Sequence, residues 1–276
     1  MIEIPESLTI ARQLNETVRG KRILEAEAAH TPHSFAWYSG EPQYYSEIME
    51  GREIGEATGI GSMIELSLGD YSFVAGDGAN IRYLAAGTKL PERYQTRITF
   101  EDGSHLICTV QMYGAMFLIE SDKYQNPYYL VAKEKPLPGT EDFTYQYFKS
   151  LREELSGTMS MKAFLATEQR IPGLGNGVLQ DILLEAGVHP KRKIGTLAES
   201  RWKRIYEAVT GTLEKMTAAG GRDTEKNLFG EKGGYQTMLS KKTFGKPCLY
   251  CGSPIQKANY MGGTVYFCPM CQEEYK

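Results

Sequence analysis

Two cysteine pairs, Cys248-x-x-Cys251 and Cys268-x-x-Cys271, separated by 16 residues, constrain this chain more than any other feature of it. Two cysteines two residues apart on a tight knuckle can turn both thiolates toward one ion, and a second knuckle completes a tetrahedron. Gly252 after the first pair and Pro269 inside the second suit such knuckles. Between them Tyr260–Phe267, with Gly262-Gly263 in its middle, reads as a hairpin that brings the knuckles together. Four protein ligands leave no open position for a reacting water, so the expected ion is one structural Zn2+ at Cys248, Cys251, Cys268 and Cys271. Disulfide or redox chemistry is the competing reading of the pairs.

The fifth cysteine, Cys108, stands alone in an apolar strand-like run and reads as a small core residue. A second pair of metal-type side chains, His30-x-x-His33, lies in a Thr/Pro-containing loop without nearby cysteines and reads as two exposed histidines. No apolar stretch approaches the roughly 18 residues needed to cross a bilayer, and the start, Met1-Ile2-Glu3-Ile4-Pro5-Glu6, resembles no secretory leader. A cytoplasmic protein without membrane partners is expected, and paired cysteines in that compartment favour metal.

The net charge of −3 argues against a polyanion ligand, but it hides an asymmetry. Residues 1–150 hold 13 Lys+Arg against 21 Asp+Glu, a net of −8, and residues 151–276 hold 18 against 13, a net of +5. The C-terminal part could therefore meet a polyanion that the N-terminal part would repel.

Ser7 reads as the cap of a helix with Leu8, Ala11, Leu14 and Val18 on one face and Gly20 at its end. The pattern then changes to period two. Ile64/Leu66/Leu68, Gly69-Asp70 and Tyr71/Phe73 predict one hairpin, and Ile98/Phe100, Asp102-Gly103 and Leu106/Cys108/Val110 predict another. Residues 21–133 read as mostly strand, in a sandwich or flattened barrel. A break at Glu134–Thr140, with two prolines and a glycine, separates this from a helical part. Helices are predicted over Phe143–Leu155, over Met161–Glu168, from near Gly175, and over Thr196–Ala219. The last would open on a Thr196-x-x-Glu199 capping box and bury Trp202, Ile205, Val209, Leu213 and Met216. The fold class is α+β and multidomain: a β-sandwich domain over 1–135, a helical domain over 141–247 and a finger over 248–276.

Ile171-Pro172-Gly173-Leu174-Gly175-Asn176-Gly177 leads into the apolar helix Val178–Ala186, and Lys191-Arg192-Lys193 follow it. A glycine-rich turn into a helix exposes backbone N–H groups at the positive end of the dipole, which suits phosphate. The run is not a dinucleotide fingerprint, since Val178 stands at the third glycine position and no strand precedes it, nor a P-loop, since no Gly-Lys-Ser/Thr follows. A tight helix–helix turn is the competing explanation.

Gly173-Leu174-Gly175-Asn176 opening a helix that ends Ala186-Gly187-Val188-His189-Pro190, followed about 60 residues on by the four-cysteine unit ending Cys268-Pro269-Met270-Cys271-Gln272, resembles the formamidopyrimidine-DNA glycosylase and endonuclease VIII family. The resemblance spans nearly the whole chain and is specific over 160–272. It implies an N-terminal helix and β-sandwich, a helix-two-turn-helix module over 141–247 and a zinc finger. It also implies duplex DNA as partner and a phosphate contact from Asn176 and the amides beside it at Gly175, next to which Lys191 and Arg192 read as a basic rim; a monomer is expected. The family extrudes a damaged base and attacks C1′ with the amine of an N-terminal proline, assisted by a glutamate.

Against that pattern the chain departs in one direction. Ile2 stands at the nucleophile position while Glu3, Pro5 and Glu6 remain; Ser62 stands where a lysine is expected, and Gly263 where the zinc hairpin carries an arginine. The three side chains that fill the hole left by the base align with Ala79, Gln111 and Tyr113, of which Tyr113 keeps an aromatic wedge. Missing cations and a missing nucleophile leave a scaffold with part of its DNA grip and with its chemistry lost or altered. Two other readings stand beside that one. An active glycosylase or abasic-site lyase would use the N-terminal amine with Glu3 and Glu6, and a scaffold for RNA or protein would use the acidic sandwich. The lesion is not encoded legibly, and 222–240, with Gly233-Gly234, reads equally as a lid or a linker.

Overall fold

The computed structural model describes residues 1–276 apart from 77, 122, 124, 125 and 273–276. The last four residues of the expected finger thus lie outside the described residues. The chain forms two compact units, Met1–Tyr129 with Thr224–Gly233, and Leu130–Asp223 with Gly234 to the C-terminus.

In the first unit helix α1 spans Ile4–Thr17, its cap four residues earlier than Ser7 predicts. Its cap is Glu3, in a reciprocal capping box with Glu6, and Pro5 sits in the first turn, where a missing N–H costs nothing. The earlier start changes the inward face. Ile10, Ala11, Leu14 and Val18 are buried, whereas Leu8 is exposed. Ser7 is itself buried, its hydroxyl donating to the carbonyls of Ile4 and Gly61. The helix closes on Val18, and Gly20, at φ +81°, lies beyond it with its N–H on Ile54 O.

Two sheets follow. Strands β1 (Ile23–Ala28), β2 (Ala36–Tyr38), β3 (Ala57–Ile60), β4 (Met63–Ser67), β5 (Tyr71–Gly76), β6 (Asn80–Leu84), β7 (Thr96–Phe100), β8 (His105–Thr109) and β9 (Gly114–Glu120) divide between them, with a short helix α2 (Tyr45–Met49) after β2. One sheet runs β1-β7-β8-β6 and the other β2-β9-β5-β4-β3. Both expected hairpins form, β4 against β5 with Ser67 opposite Ser72, and β7 against β8 with Thr99 opposite His105. One core joins α1 to the inner faces of both sheets through Leu14, Phe73, Met116, Ile98 and Phe100. Cys108 belongs to it at 1% exposure, and burial pushes its thiol up to about 12.

In the second unit the helices are α4 (Tyr145–Ser150), α5 (Met161–Ala166), α6 (Asn176–Ala186) and α7 (Glu199–Ala218); α3 (Pro127–Glu134) precedes them. Helix α4 starts two residues later than Phe143–Leu155 predicts, because Thr144 caps it by accepting the Tyr147 N–H at 3.1 Å, and Phe143 before the cap stacks on Tyr206; it ends at Ser150, and 151–155 continue as turns. The capping box expected at Thr196 does not form. Thr196 sits in a 3-10 turn with its hydroxyl on Lys193 O, the cap is Ala198, and Glu199 is engaged by Tyr145, Lys149 and Arg152. The predicted stripe from Trp202 to Met216 is buried. Helix α6 begins and ends as expected, with Gly175 as cap and Gly187 left-handed at φ +65°. Strands β10 (Gln256–Tyr260) and β11 (Gly263–Phe267) pair around Met261-Gly262, both at positive φ, so Gly263 opens the second strand and is not in the turn.

Candidate functional sites

The four expected thiols meet. Their sulfurs all lie within 4.8 Å of one another, with Cys248 to Cys271 at 3.9 Å and Cys251 to Cys268 at 3.4 Å. Four sulfurs held about 2.3 Å from one ion in a tetrahedron stand about 3.8 Å apart, so the donor set fits a single metal ion. The knuckles are built locally. The Gly252 N–H reaches Cys248 O with Gly252 at φ +75°, and the Gln272 side chain accepts the Cys268 N–H at 2.9 Å while donating to Val188 O at 3.0 Å. Leu184, Leu239 and Ile255 pack against Cys248 and Cys268. Among the described residues this is the one cluster of three or more metal-type ligands. His30 instead stacks on Tyr94 at 4.0 Å and bonds Glu27, and His33 accepts the Phe35 N–H.

A second constellation gathers at the start of α6. Gly173 takes φ +79° and Gly175 caps the helix. The Asn176 amide donates to Thr264 O at 2.9 Å, and one turn on Gln180 accepts the Tyr266 N–H at 2.6 Å, which docks α6 along β11. The other amide atom of Asn176, Oδ1, is buried with no hydrogen-bond partner. Lys162, one residue into α5, is 5% exposed and donates to Tyr260 O at 2.6 Å. Burial pushes its ammonium below the usual lysine range. A Cβ built on Gly263 would lie 3.4 Å from Lys162 Nζ and 3.8 Å from Asn176 Nδ2. The place that sequence reading leaves empty of cation therefore has a lysine beside it. Lys191 extends to within 5.7 Å of the Tyr260 ring, and the Arg192 carbonyl accepts the Met161 N–H. Gly175, Asn176, Lys191 and Arg192 are thus brought to one neighbourhood.

The N-terminal candidates lie in the first unit. Glu3 and Glu6 are buried, and the Glu6 carboxylate accepts the Glu3 N–H at 3.1 Å, so both serve the helix start. Ile2 is 5% exposed and packed in the core. The amino group of Met1 is ion-paired with Glu225 at a cavity of about 440 Å³, whose walls include Asn80, Arg82, Gln111, Tyr113 and Lys226. Tyr113 points its hydroxyl at the Met1 sulfur, 3.7 Å away. Gln111 is exposed and Ala79 is fully buried, so Ala79 offers nothing that could enter a duplex. Ser62 lies in the turn between β3 and β4.

Sequence reasoning missed Lys162, Arg82, Glu225 and Lys226. Lys162 carried a signal, a lone lysine in the apolar run Met161–Leu165. Glu225 carried none, because its partner is 224 residues away.

No family model matches this chain. The formamidopyrimidine-DNA glycosylase of Lactococcus lactis subsp. cremoris is 29% identical over 282 residues, covering 99% of this chain and 100% of that protein. The enzyme of the same name from Bacillus cereus is 28% identical, covering 99% of each. Among solved structures, Lactococcus lactis Fpg bound to DNA containing an abasic site superposes with a TM-score of 0.85 at 25% identity, covering 98% of this chain and 99% of that one. The same protein bound to DNA containing N7-benzyl-Fapy-dG gives 0.86 at 26%.

Proposed function

Because the chain belongs to the formamidopyrimidine-DNA glycosylase family, we propose that it binds damaged or abasic duplex DNA, with base excision lost or altered. The observation that carries this is the convergence of Lys162, the Asn176 amide and the α6 N-terminus beside Gly263. Together they offer an ammonium and a side-chain amide to one phosphate, while Lys191 and Arg192 supply a basic rim. Such contacts fix a duplex in register without reading its bases.

Zinc is the ion we assign to the four cysteines, on the chemistry of a closed thiolate set. It would hold the β10–β11 hairpin against α6 and contribute folding energy. The altered chemistry follows from the N-terminus. With Met1 in place Ile2 has no amine to offer, and its side chain is committed to the core. Glu3 and Glu6 hold the first turn of α1, and Tyr113 is left as the aromatic wedge. A second reading, an abasic-site lyase, is favoured by one observation, that the Met1 amino group stands at a polar cavity.

The test is fluorescence anisotropy of the zinc-loaded protein with matched duplexes carrying an abasic site or none, across a salt series, in parent and Asn176→Ala. Tighter binding to the abasic duplex is expected. Log Kd should rise with log salt by about 0.9 for each phosphate met by a cation, and the variant, which loses a neutral donor, should bind more weakly with an unchanged slope. Binding that ignores salt and competitor DNA would sink the reading and turn attention to RNA or protein partners.

A further inference from the structure

The positive charge of the C-terminal part is not spread evenly over it. Residues 232–272 hold five Lys and no Arg, Asp or Glu, whereas 151–231 and 273–276 together hold 13 Lys+Arg against 13 Asp+Glu. The whole excess of +5 thus lies in the finger and the segment leading into it. Lys232 belongs to the first unit and Lys242 is ion-paired with Asp223; Lys241, Lys246 and Lys257 are exposed, with no carboxylate partner among the described residues. The β10–β11 hairpin has two faces, and one of them is spent. Val265 is fully buried, Phe267 meets the His189 ring edge-on at 4.5 Å, and the Gly263 position stands beside Lys162 and Asn176. Lys257 with Tyr266, and Asn259 with Thr264, are cross-strand pairs on the opposite face. There the turn over 240–246 lays the Phe244 ring, 47% exposed, 6.4 Å from the Tyr266 ring, with the Lys257 ammonium 4.5 Å from its centre. The turn is held in place: the Thr243 and Phe244 N–H groups reach Ser240 O, the Gly245 N–H reaches Ile255 O, and the Ile255 N–H returns to Lys246 O.

Lysines without carboxylate partners around a fixed, half-open aromatic ring offer charge to phosphates and a π-face to a base. A duplex brings phosphates but keeps its bases stacked on one another, and carboxylate side chains bring charge without a ring. We propose that the outer face of the finger is a second nucleic-acid site, separate from the one at the start of α6, and that it takes single-stranded polynucleotide, with one base on Phe244 and the flanking phosphates on Lys246 and Lys257. An ammonium over an exposed ring is held weakly, so an incoming base displaces Lys257 from the ring onto the phosphate beside it.

The test is anisotropy of the zinc-loaded protein with a labelled oligothymidylate or oligouridylate across a salt series, and the tighter of the two names DNA or RNA as the source. Phe244→Leu should weaken strand binding by about fivefold or more with the salt slope unchanged, and Phe244→Tyr, which keeps a ring, should bind like the parent. Lys257→Gln should flatten the slope by about 0.7, whereas Lys203→Gln, an equal change of charge on the exposed surface of α7, should leave it as it is. Thermal melts confirm that the variants fold. No binding of either strand, Phe244→Leu binding like the parent, or equal slopes in the two lysine variants overturns the proposal. Displacement of the strand by oligoglutamate with Phe244→Leu silent also overturns it and makes the face a dock for an acidic protein. Phe244→Leu weakening an abasic duplex as much as the single strand overturns the separateness of the site. Failure of the protein to bind duplex overturns the proposed function alone, since the single-strand titrations judge this face without it.

Discussion

Returning an arginine to position 263 should tighten duplex binding. Gly263 has an ordinary strand conformation, so a side chain meets no backbone penalty, and its Cβ would stand 3.4 Å from the end of a flexible lysine. One added phosphate contact steepens the salt dependence by about 0.9 and, at 0.1 M salt, strengthens binding by up to about eightfold relative to 1 M. Lys162 works against this. A guanidinium extended to about 7 Å from its ammonium in water-like surroundings meets a repulsion of about 0.6 kcal/mol, a factor of about three. The expected net gain for Gly263→Arg is therefore about threefold at 0.1 M salt, with the slope nearly 0.9 steeper. Gly263→Ala, which adds only the Cβ, should change neither. Anisotropy titrations from 0.05 to about 0.4 M salt measure both quantities. A folded Gly263→Arg protein with the parent's slope would refute the idea that the hairpin start faces a phosphate.

Two further outcomes are expected. Chelation, followed with a chromophoric zinc indicator, should release one zinc per chain and expose the 248–271 amides to hydrogen exchange while those of β4 and β5 stay protected; protection unchanged after metal release would exclude a structural ion. Asp181 is fully buried, accepts the Met238 and Leu239 N–H groups at 2.9 and 2.8 Å, and is raised by burial from 3.8 to about 6. A carboxyl raised on folding contributes stability that is complete below about pH 4 and lost as pH climbs through 6. Its size is about 3 kcal/mol at 1.36 kcal/mol per unit. Asp181→Ala strands two backbone donors, each costing about 1–3 kcal/mol, so it should destabilise, and the gap to the parent should widen from pH 7 to pH 5 in urea unfolding. A constant gap would contradict the assignment.

What the sequence made legible was local. The cysteine spacing is set by knuckle geometry within a few residues, the α6 start by Gly175 and its stop by Gly187, and both hairpins by Gly69 and Gly103 between alternating strands. Errors arose where two caps competed. Ser7 and Thr196 have good capping side chains, but Glu3 wins with the box to Glu6, and Glu199 is drawn off by Tyr145 and Arg152. The lysine beside Gly263 was not legible because it belongs to a helix about 100 residues earlier. The Glu225 pair and the Arg82 cavity wall depend on tertiary closure, which no local propensity records.

The chain passes between its two units at 129/130, at 223/224 and at 233/234. During synthesis the first unit therefore cannot finish when its sheets have emerged. Tyr83 N–H waits for Leu228 O, Gln13 for the Leu228 N–H, and Met1 for Glu225, so more than 200 residues must exist before its last contacts close. Loop closure over that span is entropically slow, and nascent chains would hold an incomplete cavity until the late segment returns. Nor can one cut dissect the protein. A fragment ending at the proline-rich break would lack the 224–233 segment, and an autonomous version of the first unit requires that segment to be grafted back onto it.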